Sequence, residues 1–115
     1  MSIPVGPYSP IVRSGDLLIC SGQIGIAQGS LVAGGLPAQF RQAMANAEAV
    51  LATHQATLDD VVKVTVFLVD MDDFGTMNEM YMECFGEARP ARSAVGVAAL
   101  PLGAAVEVEL WAHKP

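Results

Sequence analysis

Arg92 and Glu107 are the two side chains whose types and setting best suit chemistry on a small acid. Arg92 lies in Pro90-Ala91-Arg92-Ser93 and enters a strand otherwise made of small residues, Ala94, Val95, Gly96, Val97, Ala98 and Ala99. A guanidinium there, with Ala94 and Gly96 sharing its face, has space above it for a small ligand. Its five donors suit a carboxylate held by two parallel hydrogen bonds. Glu107 neighbours Arg92 if the last two strands pair across the turn Pro101-Leu102-Gly103. On residue types alone, a structural Arg–Glu ion pair explains the two equally well.

Other chemistries find no footing. His54 and His113 are isolated at the ends of different elements, and no Cys or His pair has ligand spacing, so no metal site is expected. Schiff-base chemistry needs a lysine in an apolar pocket. Only Lys63 and Lys114 are present, and Lys63 reads as a sheet-face charge paired with a glutamate. There is no G-x-S-x-G elbow and no phosphate-cradling G-x-G-x-x-G; the glycines fit turns. Cys20 and Cys84 fall in a strand and a helix and read as buried thiols.

The elements that must position these residues follow from hydrophobic spacing. Asp16-Leu17-Leu18-Ile19-Cys20-Ser21 is a short apolar run closed by Gly22 and predicts a buried strand. Gly25, Gly29, Gly34 and Gly35 mark a loop with room for one short strand. Residues 36 to 54 place Leu36, Phe40, Ala43, Met44, Ala47, Val50 and Leu51 on one helical face, with Pro37 in the first turn. Val61 to Val69 is rich in β-branched residues and predicts a central strand. Asp70, Asp72 and Asp73 then offer acidic side chains to the start of a second helix, whose stripe is Phe74, Met77, Tyr81, Cys84 and Phe85 and whose end is Gly86. Strands over 93–97 and 105–113 complete an order β, β, α, β, α, β, β, which predicts an α+β sandwich with the helices on one face of a mixed sheet.

In the last strand Val106, Val108, Leu110 and Ala112 must face the helices, leaving Glu107, Glu109 and Trp111 on the other side. In the central strand Val62, Val64, Val66 and Leu68 share one face, and Val61, Lys63, Thr65, Phe67 and Val69 the other. A second face carrying Phe67, Val69 and Trp111 is too apolar for open water. Packing sheets together in a closed symmetric oligomer resolves it.

The composition agrees. A length of 115 residues suits one domain, and 52% hydrophobic residues with only 16% charged leave a lean surface for a monomer. A net charge of −6 has the wrong sign for binding phosphate backbones, so nucleic acid is not an expected partner. The amino end, Met1-Ser2-Ile3-Pro4-Val5-Gly6-Pro7, has no basic region or long apolar run, and no stretch approaches the roughly twenty apolar residues of a membrane span. A cytoplasmic protein with no membrane partner is expected.

Motifs along nearly the whole chain add a resemblance. Pro90-Ala91-Arg92-Ser93-Ala94-Val95 through Leu100-Pro101 to Val106-Glu107-Val108-Glu109 resembles the carboxy-terminal signature of the YjgF/RidA family. Gly6-Pro7-Tyr8-Ser9 is similar to its "GPYS" opening, Ser21-Gly22-Gln23-Ile24 to its "SGQI", and residues 62–68 to its "VKxTVFL". Asp72-Asp73-Phe74 and Met77-Asn78-Glu79-Met80-Tyr81 resemble its "DF…vNxxY" helix.

The resemblance implies a chorismate-mutase-like α+β fold over residues 1–115, a homotrimer whose sheets form a central barrel, and ligand clefts between subunits. It implies cofactor-free hydrolysis of enamine/imine acids such as 2-aminoacrylate to 2-oxo acids and ammonia. Carried over by position, Arg92 would hold the substrate carboxylate with help from the backbone N–H of Ala94, and Glu107 would orient or deprotonate the attacking water. Tyr8, Ser21, Gly22 and Asn78 would shape the cleft, and Glu109 is left structural.

Two departures stand out. Ala94 replaces a cysteine common among relatives, and the segment Gly86-Glu87-Ala88-Arg89 is short, so that Arg89 competes with Arg92 as carboxylate ligand. Two other functions remain open: a non-catalytic small-acid-binding or regulatory trimer, and a pathway-specific deaminase such as one acting on 2-aminomuconate. Retention of both Arg92 and Glu107 favours catalysis.

Overall fold

The computed structural model describes residues 6–87 and 89–115. The amino-terminal residues 1–5, in which no signal peptide was read, and Ala88 of the short segment lie outside them. The elements in chain order are β1 (Ile11–Ser14), β2 (Leu17–Ile24), β3 (Ile26–Ala27), β4 (Ser30–Leu31), α1 (Gly35–Ala52), β5 (Val61–Leu68), α2 (Phe74–Phe85), β6 (Ala91–Gly96) and β7 (Val106–His113). Five strands form one mixed sheet in the order β1-β2-β7-β5-β6, and β3 and β4 make a separate small hairpin. Among the described strands of this sheet only β5 and β6 run parallel, because α2 carries the chain between them; the other neighbours are antiparallel.

Helix α1 starts at Gly34, whose φ of 115° excludes most side chains. Its far end closes by two bonds, Gln55 N–H to the Ala52 carbonyl and Ala56 N–H to the Leu51 carbonyl, with Gln55 at φ 58° where glycine is usual. A short helical turn over 71–73 leads into α2; the Asp70 carboxylate caps that turn by accepting from the Asp72 N–H at 2.9 Å, and Gly86 at φ 61° ends α2.

Both helices lie on one face of the sheet. Between them and it sit Phe40, Ala47, Leu51 and Met77 against Leu18, Val64, Val66, Val108 and Leu110, all at most 1% exposed. Burial of each large side chain contributes about 1.5–3 kcal/mol, so cutting Phe40 to Ala costs about 3–5 kcal/mol.

Several expectations change. Strand β1 was not foreseen: it is short, polar in half its length and an edge, with Val12 50% exposed. Val62 does not join Val64 on the helix face. The β5–β7 register slips between Val61 and Lys63, so Val61 turns inward and Val62 is 45% exposed. Strands β6 and β7 do not pair with each other; β5 lies between them. Among the described residues Lys63 meets no glutamate; its Nζ donates to Ser93 Oγ at 2.8 Å.

The face away from the helices is as apolar as the alternation requires. Trp111, Val95 and Val69 are 40–42% exposed there, around half-buried Phe67 and Thr65.

Candidate functional site

Arg92 is the second residue of β6 and stands opposite Val64 of β5, so its side chain leaves the sheet on the helix side. There α2 organises it. Its Nη1 donates to Asn78 Oδ1 at 2.7 Å, and the guanidinium carbon lies 4.7 Å from the centre of the Tyr81 ring and 5.7 Å from that of Phe74. Phe74, Asn78 and Tyr81 are spaced four and three apart and therefore share one face of α2. No carboxylate is within ion-pair distance of Arg92 among the described residues. The structural Arg–Glu pair is thus not formed within the chain, and the charge is oriented by a neutral amide and aromatic faces.

The space is beside Arg92 rather than above Ala94 and Gly96. Gly96 is covered by Met71, whose Cγ would lie 3.0 Å from an added Cβ. The open hollow, of about 340 Å³, is lined by Asn78, Tyr81, Met82, Arg89, Pro90 and Arg92. Ala94 contributes backbone. The Val97 N–H bonds to the Leu68 carbonyl at 2.8 Å; by the alternation of a parallel ladder, the N–H of Ala94 points to the free edge of β6.

Glu107 starts from the opposite side. It pairs with Phe67 on β5 and Ile24 on β2 and leaves the sheet away from the helices. Its carboxyl lies against Gly22: a Cβ there would be 2.7 Å from Glu107 Cδ and Oε2. The register of β2 and β7 shifts between Cys20 and Gln23, so Ser21 and Gly22 form a bulge that makes this approach. Ser21 fixes the preceding segment, its Oγ donating to the Ser9 carbonyl at 2.6 Å and its N–H to the Pro10 carbonyl at 2.9 Å. Tyr8, 43% exposed, immediately precedes that anchored stretch. Burial first, and the neighbouring charge of Glu109 second, push the Glu107 carboxyl above its ordinary 4.5.

The expected residues therefore fall into two groups: Arg92, Asn78 and Ala94 along the β6 edge, and Gly22 and Glu107 on the other face, with Ser21 in the same bulge and Tyr8 in the segment that Ser21 anchors. Two strand spacings and three residues separate the Arg92 and Glu107 backbones, about 14 Å. Sequence reasoning assigned Tyr81 and Phe74 to packing alone, although their spacing from Asn78 carried the signal. Among the thiols, Cys20 is buried and raised to about 11, an inert core group.

Comparison with known proteins identifies the fold and the motifs. The family model described as "Endoribonuclease L-PSP" matches residues 2–114. A RutC family protein of Pyrococcus horikoshii is 46% identical over 113 residues, covering 96% of this chain and 90% of that one. The 2-iminobutanoate/2-iminopropanoate deaminase of Mus musculus is 44% identical over 107 residues, covering 91% and 79%. Among solved structures, RidA from an Antarctic Psychrobacter species superimposes with a TM-score of 0.93 at 39% identity, covering 96% of this chain and 91% of that chain. The YjgF gene product of E. coli gives 0.90 at 38% identity, covering 97% and 91%. With a family model spanning nearly its whole length and this sheet-and-helix framework in common with solved relatives, the chain belongs to the YjgF/RidA family.

Proposed function

We propose that this chain hydrolyses reactive enamine/imine acids to 2-oxo acids and ammonia at sites built between the subunits of a homotrimer. The observation that carries the reading is Arg92: a half-buried guanidinium held by Asn78 and Tyr81 beside an open hollow, with no carboxylate within ion-pair distance among the described residues. A substrate carboxylate supplies the missing partner, and the edge-facing N–H of Ala94 adds a donor.

Glu107 cannot reach that hollow from within the same chain, so the second half of the site comes from Glu107 of the partner subunit, with Tyr8, Ser21 and Gly22 around it. The bare apolar face around Phe67 and Trp111 supports such packing of sheet on sheet.

In this reading the substrate enters as the imine, or tautomerises to it from the enamine. Water attacks the carbon of the protonated imine, forming a C–O bond while the C=N electron pair moves to the positively charged nitrogen, and Glu107 takes one water proton, which leaves a neutral carbinolamine. The carbinolamine then collapses: Glu107 returns its proton to the amine, the C–N bond breaks as the hydroxyl oxygen forms the C=O bond, and the hydroxyl proton passes through the freed carboxylate to the departing ammonia, which leaves as ammonium. A carboxyl raised above its usual range is suited to both halves of this transfer. The imine is already electrophilic, so positioning and one base suffice without a cofactor. The deaminase name of relatives at 42–44% identity supports the same chemistry.

The endoribonuclease of the family description is not adopted, because a net charge of −6 disfavours a phosphate backbone. A non-catalytic small-acid binder is the second reading, favoured by the fact that the Arg92 hollow is lined without Glu107. A pathway-specific deaminase, such as one for 2-aminomuconate, is a narrower form of the first. Among the described residues no helix is long and apolar enough to cross a membrane. A cytoplasmic setting, where pyridoxal-phosphate enzymes release such imines, belongs to this reading.

Ammonia and 2-oxo acid release from enzymatically generated 2-aminoacrylate tests the proposal. Release above the spontaneous rate supports it; binding of 2-oxo acids without acceleration gives the binder reading.

A further inference from the structure

The hollow beside Arg92 holds a second guanidinium. Arg89 lines it together with Arg92, while its other walls are Asn78, Tyr81, Met82 and Pro90, none of them acidic. The chain has only six Lys and Arg against twelve Asp and Glu, yet two of the six meet in one small cavity. Like charges so placed repel and persist where an anion offsets them.

Arg89 is also tethered. Its Nε donates to the Gly86 carbonyl at 2.7 Å, which fixes the base of the guanidinium and leaves the two terminal nitrogens for a ligand. Three residues of extended chain put the two arginine backbones about 10 Å apart. Side chains converging on one hollow from that distance suit two acid groups at the ends of a short chain better than two ligands on one carboxylate.

The Tyr81 ring backs the Arg92 guanidinium from the same wall. Tyr81 is 4% exposed, and its hydroxyl makes no hydrogen bond among the described residues. Burial holds that phenol above its ordinary value, so this wall carries no negative charge of its own. The 340 Å³ of the hollow falls at the lower end of the roughly 300–1,000 Å³ typical of small-molecule sites.

We infer that Arg89 is a specificity residue that binds a second carboxylate, so that the preferred substrates are imines of short dicarboxylic acids. This rests on the reading of Arg92 as the ligand of the first carboxylate. It replaces competition between the two arginines with division of labour.

Calorimetry on the intact protein with two stable product acids of equal length, 2-oxoglutarate and 2-oxopentanoate, tests it. The wild type is expected to bind 2-oxoglutarate about tenfold more tightly at low salt, as one partly screened charged contact allows. Arg89→Ala should bring that ratio close to one, Arg89→Lys should keep most of it, and Arg92→Ala should weaken both acids. Arginine-dependent binding of 2-oxopentanoate with no preference for 2-oxoglutarate, or a preference that survives Arg89→Ala, overturns the inference and leaves the Arg92 reading intact. Binding of neither acid by the wild type overturns both.

Discussion

Arg92 and Glu107 leave one sheet in opposite directions, Arg92 toward Asn78 and Tyr81 of α2 and Glu107 away from the helices onto Gly22. The alternation of a β-strand imposes this: Arg92 stands in the row of Val64, which is buried under the helices, and Glu107 in the row of Phe67. Within one copy no side-chain motion brings the two together through a close-packed sheet. A mechanism that uses both requires two copies.

Assembly comes first. Trp111 and Val95 remain 40% and 42% exposed on the bare face, and light scattering at micromolar concentration should give a trimer. Trp111→Glu puts a charge into that face and should shift the species toward monomer with loss of turnover. A stable wild-type monomer would remove the basis for shared sites.

Arg92→Ala removes the partner of the substrate carboxylate. Loss of such a contact in a partly desolvated cleft costs on the order of 2–5 kcal/mol, so 2-oxo acid binding and turnover should both collapse. Circular dichroism and scattering should show the trimer retained. Unchanged acid affinity would move the carboxylate site elsewhere.

Glu107→Gln keeps size and hydrogen bonding but cannot take a proton. The rate should fall about a hundredfold or more, while acid binding persists or tightens as a negative charge is removed. In the wild type, the acid limb of the rate profile should lie above 4.5, because the carboxyl must ionise to act. Glu109→Gln removes the smaller of the two causes and should move that limb downward. Stability has the matching sign. A carboxyl raised on folding favours the native state fully below its unfolded value, and that benefit is lost as pH rises through the folded value. Glu107→Gln should therefore raise the melting temperature at neutral pH and not in acid.

Gly22→Ala tests the bulge. The new Cβ would fall 2.7 Å from the Glu107 carboxyl, and the flexible end of that side chain must yield. The fold and acid binding should survive while turnover drops, in contrast to Arg92→Ala. Full activity in Gly22→Ala would mean that the position of the Glu107 carboxyl does not matter.

Much of this was legible in residue patterns. The β7 alternation placed Val106, Val108, Leu110 and Ala112 inside, and all are buried; Pro37 and the glycines at the helix ends marked α1 and α2. The failures came where a single strand pattern cannot speak. Nothing local says that α2 returns β6 parallel to β5 rather than beside β7, so adjacency of Arg92 and Glu107 was a topological guess. The Val61–Lys63 slip reverses Val62 because a bulge breaks the period of two. Ser21 and Gly22 were found through motif likeness, and only the paired register shows that they are bulged over Glu107.

Subunit mixing tests the central claim most directly. Arg92→Ala and Glu107→Gln are each nearly inactive as pure trimers; unfolded together in equal amounts and refolded, they should form mixed trimers in which Arg92 of one copy meets Glu107 of the partner subunit. Random assembly by threes makes about a quarter of the sites intact. The account predicts recovery of imine hydrolysis to about that fraction of wild type. A refolded mixture no more active than the two variants measured apart would contradict it.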